Sequence, residues 1–332
     1  MATQTTSDYF HGALEERKRR LTAAMSSGHA DAGLNSLLAE VDAALDRLHD
    51  GTFGNCEGCN GTIEGDRLLA DPLIRFCLDH LTEAQRRELE RDLEGAAAMQ
   101  RALLPAAQVR RNGWHICSHY KPAGPVSGDY CDVIVRDGDG GRGDELYFIV
   151  GDVSGKGVSA SLFMSQLHAM FRSLASVKME LDEMLASANR LLCESSVAGR
   201  YATLICARVN GSGEVEIVNA GHPAVWLVGA NGVEEIAATG LPLGLFRNST
   251  YTTARVRVNP RETLFLYTDG LSEAQNAEGV EYSHGRLGEF IQRGHGLSPE
   301  KLMEAWVGDL QAFSEGGKAA DDLTLMLARR ES

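Results

Sequence analysis

The chain has 332 residues, 43% of them hydrophobic, and 46 Asp and Glu against 32 Lys and Arg give a formal charge of −14. That length and apolar share suffice for one large core and a smaller one, which excludes a disordered chain. The negative balance argues against direct nucleic-acid binding, which needs clustered Lys and Arg to release counterions, and the basic run Arg17 to Arg20 is too short to reverse it.

No stretch approaches the roughly 20 apolar residues of a membrane helix, and the polar start Met-Ala-Thr-Gln lacks a signal-peptide core, so a cytoplasmic protein without membrane contact is expected. Three of the seven cysteines sit in metal-ligand spacing. The other four, Cys117, Cys131, Cys193 and Cys206, are scattered rather than arranged as a disulfide framework.

Three regions follow in chain order: 1–81, 82–105 and 106–332. In the first, Leu34, Leu37, Leu38, Val41, Leu45 and Leu48 recur at helical steps, and Gly51 ends the stripe. Then Cys56-Glu-Gly-Cys59 is followed, after seventeen residues, by Cys77-Leu-Asp-His80. Three thiolates and one imidazole in two close pairs make the tetrahedral donor set of a structural Zn²⁺. The alternative for these four is small buried residues with coincidental spacing.

Residues 82–104 read as a helix with Thr82 as N-cap and Pro105 as its stop. Leu89, Leu93, Ala96, Gln100 and Leu103 give two heptad-like repeats, consistent with a homodimeric coiled coil whose polar register position is Gln100. An amphipathic helix packed on its own domain fits equally well, because Gly95 and the alanines weaken an isolated coiled coil.

The third region predicts strands at 146–150, 202–209, 215–218, 224–228, 263–267 and 323–327. Gly211-Ser-Gly213 and Ala230-Asn-Gly232 look like hairpin turns, so much of the sheet is expected to be antiparallel. Two helical stripes, Phe163, Leu167, Met170, Leu174 and Leu181, Met184, Leu185, Ala188, Leu192, read as core. Helices grouped apart from strands predict an α+β sandwich rather than a doubly wound sheet.

Four carboxylates carry the chemistry. Asp152 in Gly-Asp-Val-Ser-Gly-Lys-Gly and Asp269 in Tyr-Thr-Asp-Gly end apolar runs at glycine-rich turns, while Asp129 and Asp321 stand beside strand-like segments. Asp129, Asp152 or Asp269 alone reads as a turn former beside glycine. Together they suggest convergence on hard divalent ions, Mn²⁺ or Mg²⁺, because a pair of ions about 3.5 to 4 Å apart shares a carboxylate and a water. Asp152 is the natural bridge, and the glycines of its turn bring the Val153 carbonyl toward an ion. Without metal the carboxylates repel, and at least one pKa should rise.

Rivals fail on spacing. A cysteine phosphatase needs five residues between thiolate and arginine, whereas Cys131 to Arg136 has four between them and Cys193 to Arg200 has six. The run 137–144 resembles a calcium loop but has Gly141 at a ligand position and Phe148 where the closing glutamate belongs, so it reads as a solvated hairpin. His222 reads as a structural hydrogen-bonding residue, and Glu273 as a surface residue or one bonded to a ligand.

Two resemblances emerge from the motifs. The segment from Ala44 through Asp50-Gly-Thr-Phe-Gly-Asn-Cys56 to His80 resembles the zinc finger of the DksA/TraR family, with His80 where members usually carry a fourth cysteine. Larger members reach into RNA polymerase with a long helical hairpin. The helical stretch here is too short for one, so the finger, about 50–80, is expected to be a scaffold or interaction module.

Ser127-Gly-Asp-Tyr-Cys-Asp132, Gly151-Asp-Val-Ser-Gly-Lys-Gly157, Tyr201-Ala-Thr-Leu, Val218-Asn-Ala-Gly-His-Pro223, Leu266-Tyr-Thr-Asp-Gly-Leu-Ser-Glu-Ala274 and Asp321-Asp-Leu-Thr324 are similar to the ordered motif series of the SpoIIE/RsbU branch of the protein phosphatase 2C-like superfamily. Ala98-Met-Gln-Arg-Ala-Leu-Leu-Pro105 resembles the helical linker into that domain. The resemblance implies a central β-sandwich flanked by helices, with two Mn²⁺ or Mg²⁺ ions at one edge. Asp152 would bridge both, the Val153 carbonyl would bind one, Asp269 and Asp321 would hold the other, and Asp129 would contribute directly or through water, with Asp322 as the rival to Asp321. It further implies a serine/threonine phosphatase acting on a phosphorylated regulatory protein, an anti-sigma-factor antagonist of the partner-switching type. Helices at about 160–175 and 181–194 would then act as a switch. The competing expectation is a non-catalytic zinc-finger regulator that binds RNA polymerase or another partner.

Overall fold

A computed structural model describes residues 2–26, 32–136, 145–195, 199–209, 213–230, 232–294, 296–315 and 321–331. The 137–144 run and the centres of the two expected hairpin turns lie outside the described residues. The chain divides into two compact units, Met1–Asp92 and Leu93–Ser332.

The first unit holds helices α1 (Ala2–Ser26), α2 (Ala32–His49) and α3 (Gly65–Ala70). The leucine stripe lies on α2 and packs, with Val41 and Ala44, against Leu14 and Leu21 of α1. The helical stretch ahead of the finger is therefore a packed pair of 25 and 18 residues rather than one short helix. Sparse apolar positions on α1 concealed it. The basic run is largely neutralised, with Lys18 Nζ 2.8 Å from Asp42, Arg17 3.3 Å from Asp71 and Arg20 2.8 Å from Glu16.

Helix α4 (Glu83–Leu103) starts where the sequence places it. The Gln85 amide N–H donates to Thr82 Oγ1, and Gln85 Oε1 accepts from the Thr82 amide, a reciprocal cap that satisfies two orphan donors.

The second unit continues with β1 (Gln108–Arg111), β2 (Trp114–Lys121), β3 (Tyr130–Arg136), β4 (Glu145–Val153), α5 (Val158–Ala175), α6 (Leu181–Ser195), β5 (Ala202–Val209), β6 (Glu214–Ala220), β7 (Val225–Gly229), β8 (Gly232–Ile236), β9 (Ala254–Arg257), β10 (Thr263–Tyr267), α7 (His284–Gly294), α8 (Pro299–Phe313) and β11 (Leu323–Arg330). The strands form two sheets, β1-β2-β11-β10-β7-β8 and β3-β4-β5-β6-β9, antiparallel throughout.

Alternation along each strand makes three apolar layers. Leu146, Phe148 and Val150 of β4 face the other sheet and meet Leu264, Leu266, Met326 and Ala328. Tyr147 and Ile149, on the opposite face, pack under Phe163, Leu167, Met184, Leu185 and Leu192 of α5 and α6. Leu325 and Leu327 of β11 pack with Leu287, Ile291, Leu302 and Trp306 of α7 and α8. Burying each such side chain contributes about 2–3 kcal/mol. The result is a helix–sheet–sheet–helix sandwich, the expected α+β class, in which the central strands are buried on both faces.

Candidate functional site

Register brings the four aspartates to one end of the sandwich. Tyr130 at the start of β3 pairs with Gly151 near the end of β4, which places Asp129 beside Asp152. In the other sheet Tyr267 at the end of β10 pairs with Leu325 of β11, so Asp269 and Asp321 are neighbours too.

Hydroxyls stitch the sheets together there. Thr268 Oγ1 and Thr324 Oγ1 both donate to Asp129 Oδ2, at 2.9 and 2.6 Å, and Asp129 is only 1% exposed. Asp322 is committed elsewhere: its Oδ1 accepts from the Ala123 amide at 2.7 Å and its Oδ2 from the Gly128 amide at 2.9 Å. Asp321 instead turns toward Lys156, whose Nζ lies 3.0 Å from its Oδ2. Of the two adjacent carboxylates, Asp321 is thus the one that faces the basin.

The Asp152 turn is held tightly. Arg200 Nη1 donates to the Ser154 carbonyl at 2.6 Å and Nη2 to Ser159 Oγ at 2.6 Å. The Ser154 amide donates to the Tyr201 carbonyl, and the Tyr201 amide to Ser154 Oγ. A Cβ at Gly128 would stand 3.1 Å from the Val153 carbonyl oxygen and 3.6 Å from Asp152 Oδ1, so the Asp129 loop lies directly against this turn. Gly270 is tighter still, since a Cβ there would stand 1.9 Å from the Asp322 carbonyl oxygen.

Electrostatics mark the basin as strained without a counter-charge. Burial, then Asp269, Asp321 and Asp322, push Asp152 up to about 7 against the opposing pull of Lys156. Burial and Asp321 raise Asp269. Burial also raises Asp129 well above the carboxylate range, with Asp152 and Asp322 adding to it and the threonine hydroxyls opposing. This donor set, all oxygen and mutually repelling, fits hard divalent cations. Among the described residues, the groups whose donor atoms all lie within 4.8 Å of one another are the finger ligands and His115, Cys117 and Glu300. The acidic basin is wider than that.

His222 is the structural residue the sequence suggested. Its Nε2–H donates to the Tyr267 carbonyl at 2.9 Å, so Nδ1 accepts from Thr203 Oγ1 at 2.8 Å. Thr203 sits opposite Asp152 across the β4–β5 pair, and Tyr267 is two residues before Asp269. One buried imidazole therefore ties β5, whose Thr203 faces Asp152 of β4, to the end of β10, which leads to Asp269. Burial lowers its pKa to about 3, with the Tyr267 carbonyl opposing.

In the finger the four expected residues come together. Cys59 Sγ lies 3.9 Å from Cys77 Sγ, and Cys77 Sγ lies 3.2 Å from His80 Nδ1. The Gly58 amide donates to Cys56 Sγ and the Gly61 amide to Cys59 Sγ, both at 3.4 Å. Gly58 is packed on the His80 ring, where a Cβ would stand 2.7 Å from Cδ2.

Sequence reading missed Arg200, Thr268, Thr324 and Thr203 as supporting residues. The two basin threonines were visible inside their motifs, but nothing in a linear pattern says that two hydroxyls share one carboxylate oxygen. Gln100 follows the packed-helix alternative: it points into its own domain, bonded to the Ser127 backbone.

The family model of Stage II sporulation protein E (SpoIIE) matches residues 142–331. The chain belongs to the SpoIIE family. It is 25% identical over 268 residues to Protein IcfG of Synechocystis sp., a match covering 72% of this chain and 41% of IcfG. It is 24% identical to the phosphoserine phosphatase RsbU of Bacillus subtilis, over 74% of this chain and 72% of RsbU. The SiaA-PP2C domain of Pseudomonas aeruginosa superposes with a TM-score of 0.63 at 19% identity, covering 76% of this chain and all of that domain. That likeness establishes a protein phosphatase 2C-like sandwich. Among the described residues no helix of this SpoIIE-family chain is long and apolar enough to cross a membrane.

Proposed function

We propose that this protein is a metal-dependent serine/threonine phosphatase. The observation that carries the reading is the convergence of Asp152, Asp269 and Asp321, with Asp129 behind them, at one end of the sandwich, where burial and then repulsion raise Asp152 to about 7. Family membership and the activity named for RsbU support it.

Asp152 would bridge two Mn²⁺ or Mg²⁺ ions, the Val153 carbonyl would bind one of them, and Asp269 and Asp321 would hold the other. Asp129 has Oδ2 occupied by two hydroxyls and would contribute through Oδ1, directly or by way of water. The bound ions supply an acidified water as nucleophile and positive charge for the phosphoryl oxygens. The protein's own part is orientation: Arg200 fixes the Asp152 turn, the threonine pair fixes Asp129, and His222 ties β5, the neighbour of the Asp152 strand, to the strand that leads to Asp269. Lys156, 59% exposed in its side chain and paired with Asp321, is a cation at the basin that can exchange a carboxylate partner for a phosphate oxygen.

The substrate is a regulatory protein phosphorylated on serine or threonine, in our reading an anti-sigma-factor antagonist of a partner-switching pathway. Cys56, Cys59, Cys77 and His80 hold one structural Zn²⁺. The segment 82–104 contributes to homodimerisation, and α5 with α6 forms the switch that moves the Asp152 turn. The rival reading, a non-catalytic zinc-finger regulator, leaves four converging aspartates without a task.

Phosphate release from a phosphoserine peptide tests the proposal. It should require Mn²⁺ or Mg²⁺, stop with chelator, and fall on the order of 10³-fold in Asp152→Asn and Asp269→Asn, as expected for losing several kcal/mol of metal assistance. Metal-independent release, or full turnover by both variants, would overturn it.

A further inference from the structure

Strand β2 puts His115 and Cys117, two residues apart, on one face, and that face meets the first turn of α8, where Glu300 stands. Three different donors converge there. His115 Nε2 lies 3.0 Å from Glu300 Oε1 and 3.6 Å from Cys117 Sγ, and all three donor atoms fall within 4.8 Å of one another. His115 is 1% exposed and Cys117 3%, so the group is interior rather than a solvated surface cluster. Bonds of about 2.0 Å to nitrogen or oxygen and about 2.3 Å to sulfur set tetrahedral donor edges of about 3.3 to 3.6 Å. Both His115 separations come within a few tenths of an ångström of that.

The other ring nitrogen is placed as a zinc-binding histidine requires. Nδ1 lies 3.5 Å from Glu331 Oε1, so a proton there is directed at a carboxylate and the Nε2 lone pair turns toward the thiol and Glu300. A histidine between two glutamates would by itself be an ion pair. The thiol makes it a donor set, because sulfur and imidazole select Zn²⁺ and like ions over the hard ions that suit the all-aspartate basin. Arg110 is the competitor: its Nη2 is 2.9 Å from the same Glu300 oxygen and its Nη1 2.8 Å from Glu331 Oε1. Its side chain is mostly exposed and can yield Glu300 while keeping Glu331. The group also stands well away from the basin. Leu323, next to Asp322, pairs with Lys121, whereas His115 pairs with Arg329, six residues on and about 20 Å along β11.

We propose that His115, Cys117 and Glu300 bind a transition-metal ion of the Zn²⁺ class, with water in the fourth position, pinning the first turn of α8 to β2. The site shares no residue with the phosphatase basin and does not depend on that reading. With three protein donors against the finger's four, and with Arg110 to displace, it fills after the finger and empties on dialysis against chelator.

The test uses full-length protein carrying an equimolar amount of Zn²⁺, in excess Mg²⁺, titrated with Co²⁺, whose bond to a thiolate gives a charge-transfer band in the near ultraviolet. The oxygen-only basin cannot give that band. Wild type should develop it, and Cys117→Ser and His115→Gln should lose it while still unfolding cooperatively on heating. Glu331→Gln should keep the band with a Co²⁺ dissociation constant roughly tenfold higher, the usual effect of losing a partner of a ligand. Glu300→Gln, on a partly exposed side chain, should raise that constant by more than tenfold, and it carries the test should the two buried variants not fold. Absence of the band in wild type refutes the proposal, as does a band of full intensity in Cys117→Ser or unchanged Co²⁺ affinity in Glu300→Gln.

Discussion

Replacing Asp152 by asparagine should stabilise the metal-free protein while abolishing its function. Asp152 is raised from an ordinary 3.8 to about 7, by burial first and then by Asp269, Asp321 and Asp322. A carboxyl that holds its proton more tightly when folded penalises the fold wherever the unfolded chain has already released it. The penalty is absent below about 3.8, grows as pH rises to 7, and is complete above that. A shift of that size corresponds to at most about 4 kcal/mol at pH 8 and about 2 kcal/mol at pH 5, at about 1.4 kcal/mol per unit. Asparagine has nearly the same shape and cannot ionise. In chelator at pH 8, Asp152→Asn should therefore melt several degrees above wild type, and the gap should narrow at pH 5. Adding Mn²⁺ should reverse the order, since wild type gains binding energy and the variant gains little. The assay is thermal unfolding at the two pH values, with and without Mn²⁺. A metal-free variant that melts below wild type at pH 8, or one that gains as much from Mn²⁺, would refute the electrostatic account of the basin.

Other consequences are open to direct measurement. His222→Ala leaves the Tyr267 carbonyl without its buried donor and opens a cavity, so denaturant unfolding should show a loss of about 2–4 kcal/mol. Because the His222 pKa is lowered to about 3, wild-type stability should fall as pH drops below about 6.5, where the unfolded imidazole gains a proton the folded one refuses, and the variant should lack that component. Gly270→Ala places a methyl against the Asp322 carbonyl and must displace the Asp321 segment; turnover should fall at least tenfold, and wild-type rates in this variant would contradict the packing described. Elemental analysis should find one zinc per wild-type chain and almost none in Cys77→Ser, whereas zinc retention by that variant would rule out the finger assignment.

The legible parts of the sequence were those where both faces of an element are buried. Strands β4, β5, β10 and β11 read as apolar runs because each side chain meets either the other sheet or a helix layer. Helices α5 and α6 declared themselves by stripes. Strands β1 and β9 stayed hidden because they are edges carrying Arg110, Arg111, Arg255 and Arg257, and β3 because its motif interrupts the apolar pattern with Asp132. Asp132 is there to receive a bidentate Arg172 from α5, a long-range pairing that no local pattern reports. Likewise, four aspartates could be nominated from their motifs, Asp321 ahead of Asp322, but no linear pattern reports that the Asp322 carboxylate is occupied by the Ala123 and Gly128 amides. Gln100 shows the same limit, since heptad spacing and an intramolecular clamp place a polar residue at the same position.

The most direct measurement is an anomalous difference map from crystals grown with Mn²⁺. Two peaks are expected about 3.5 to 4 Å apart on either side of the Asp152 carboxylate, one within bonding distance of the Val153 carbonyl and the other of Asp269 and Asp321. A map with no peak at Asp152, or with manganese bound only elsewhere, would contradict it.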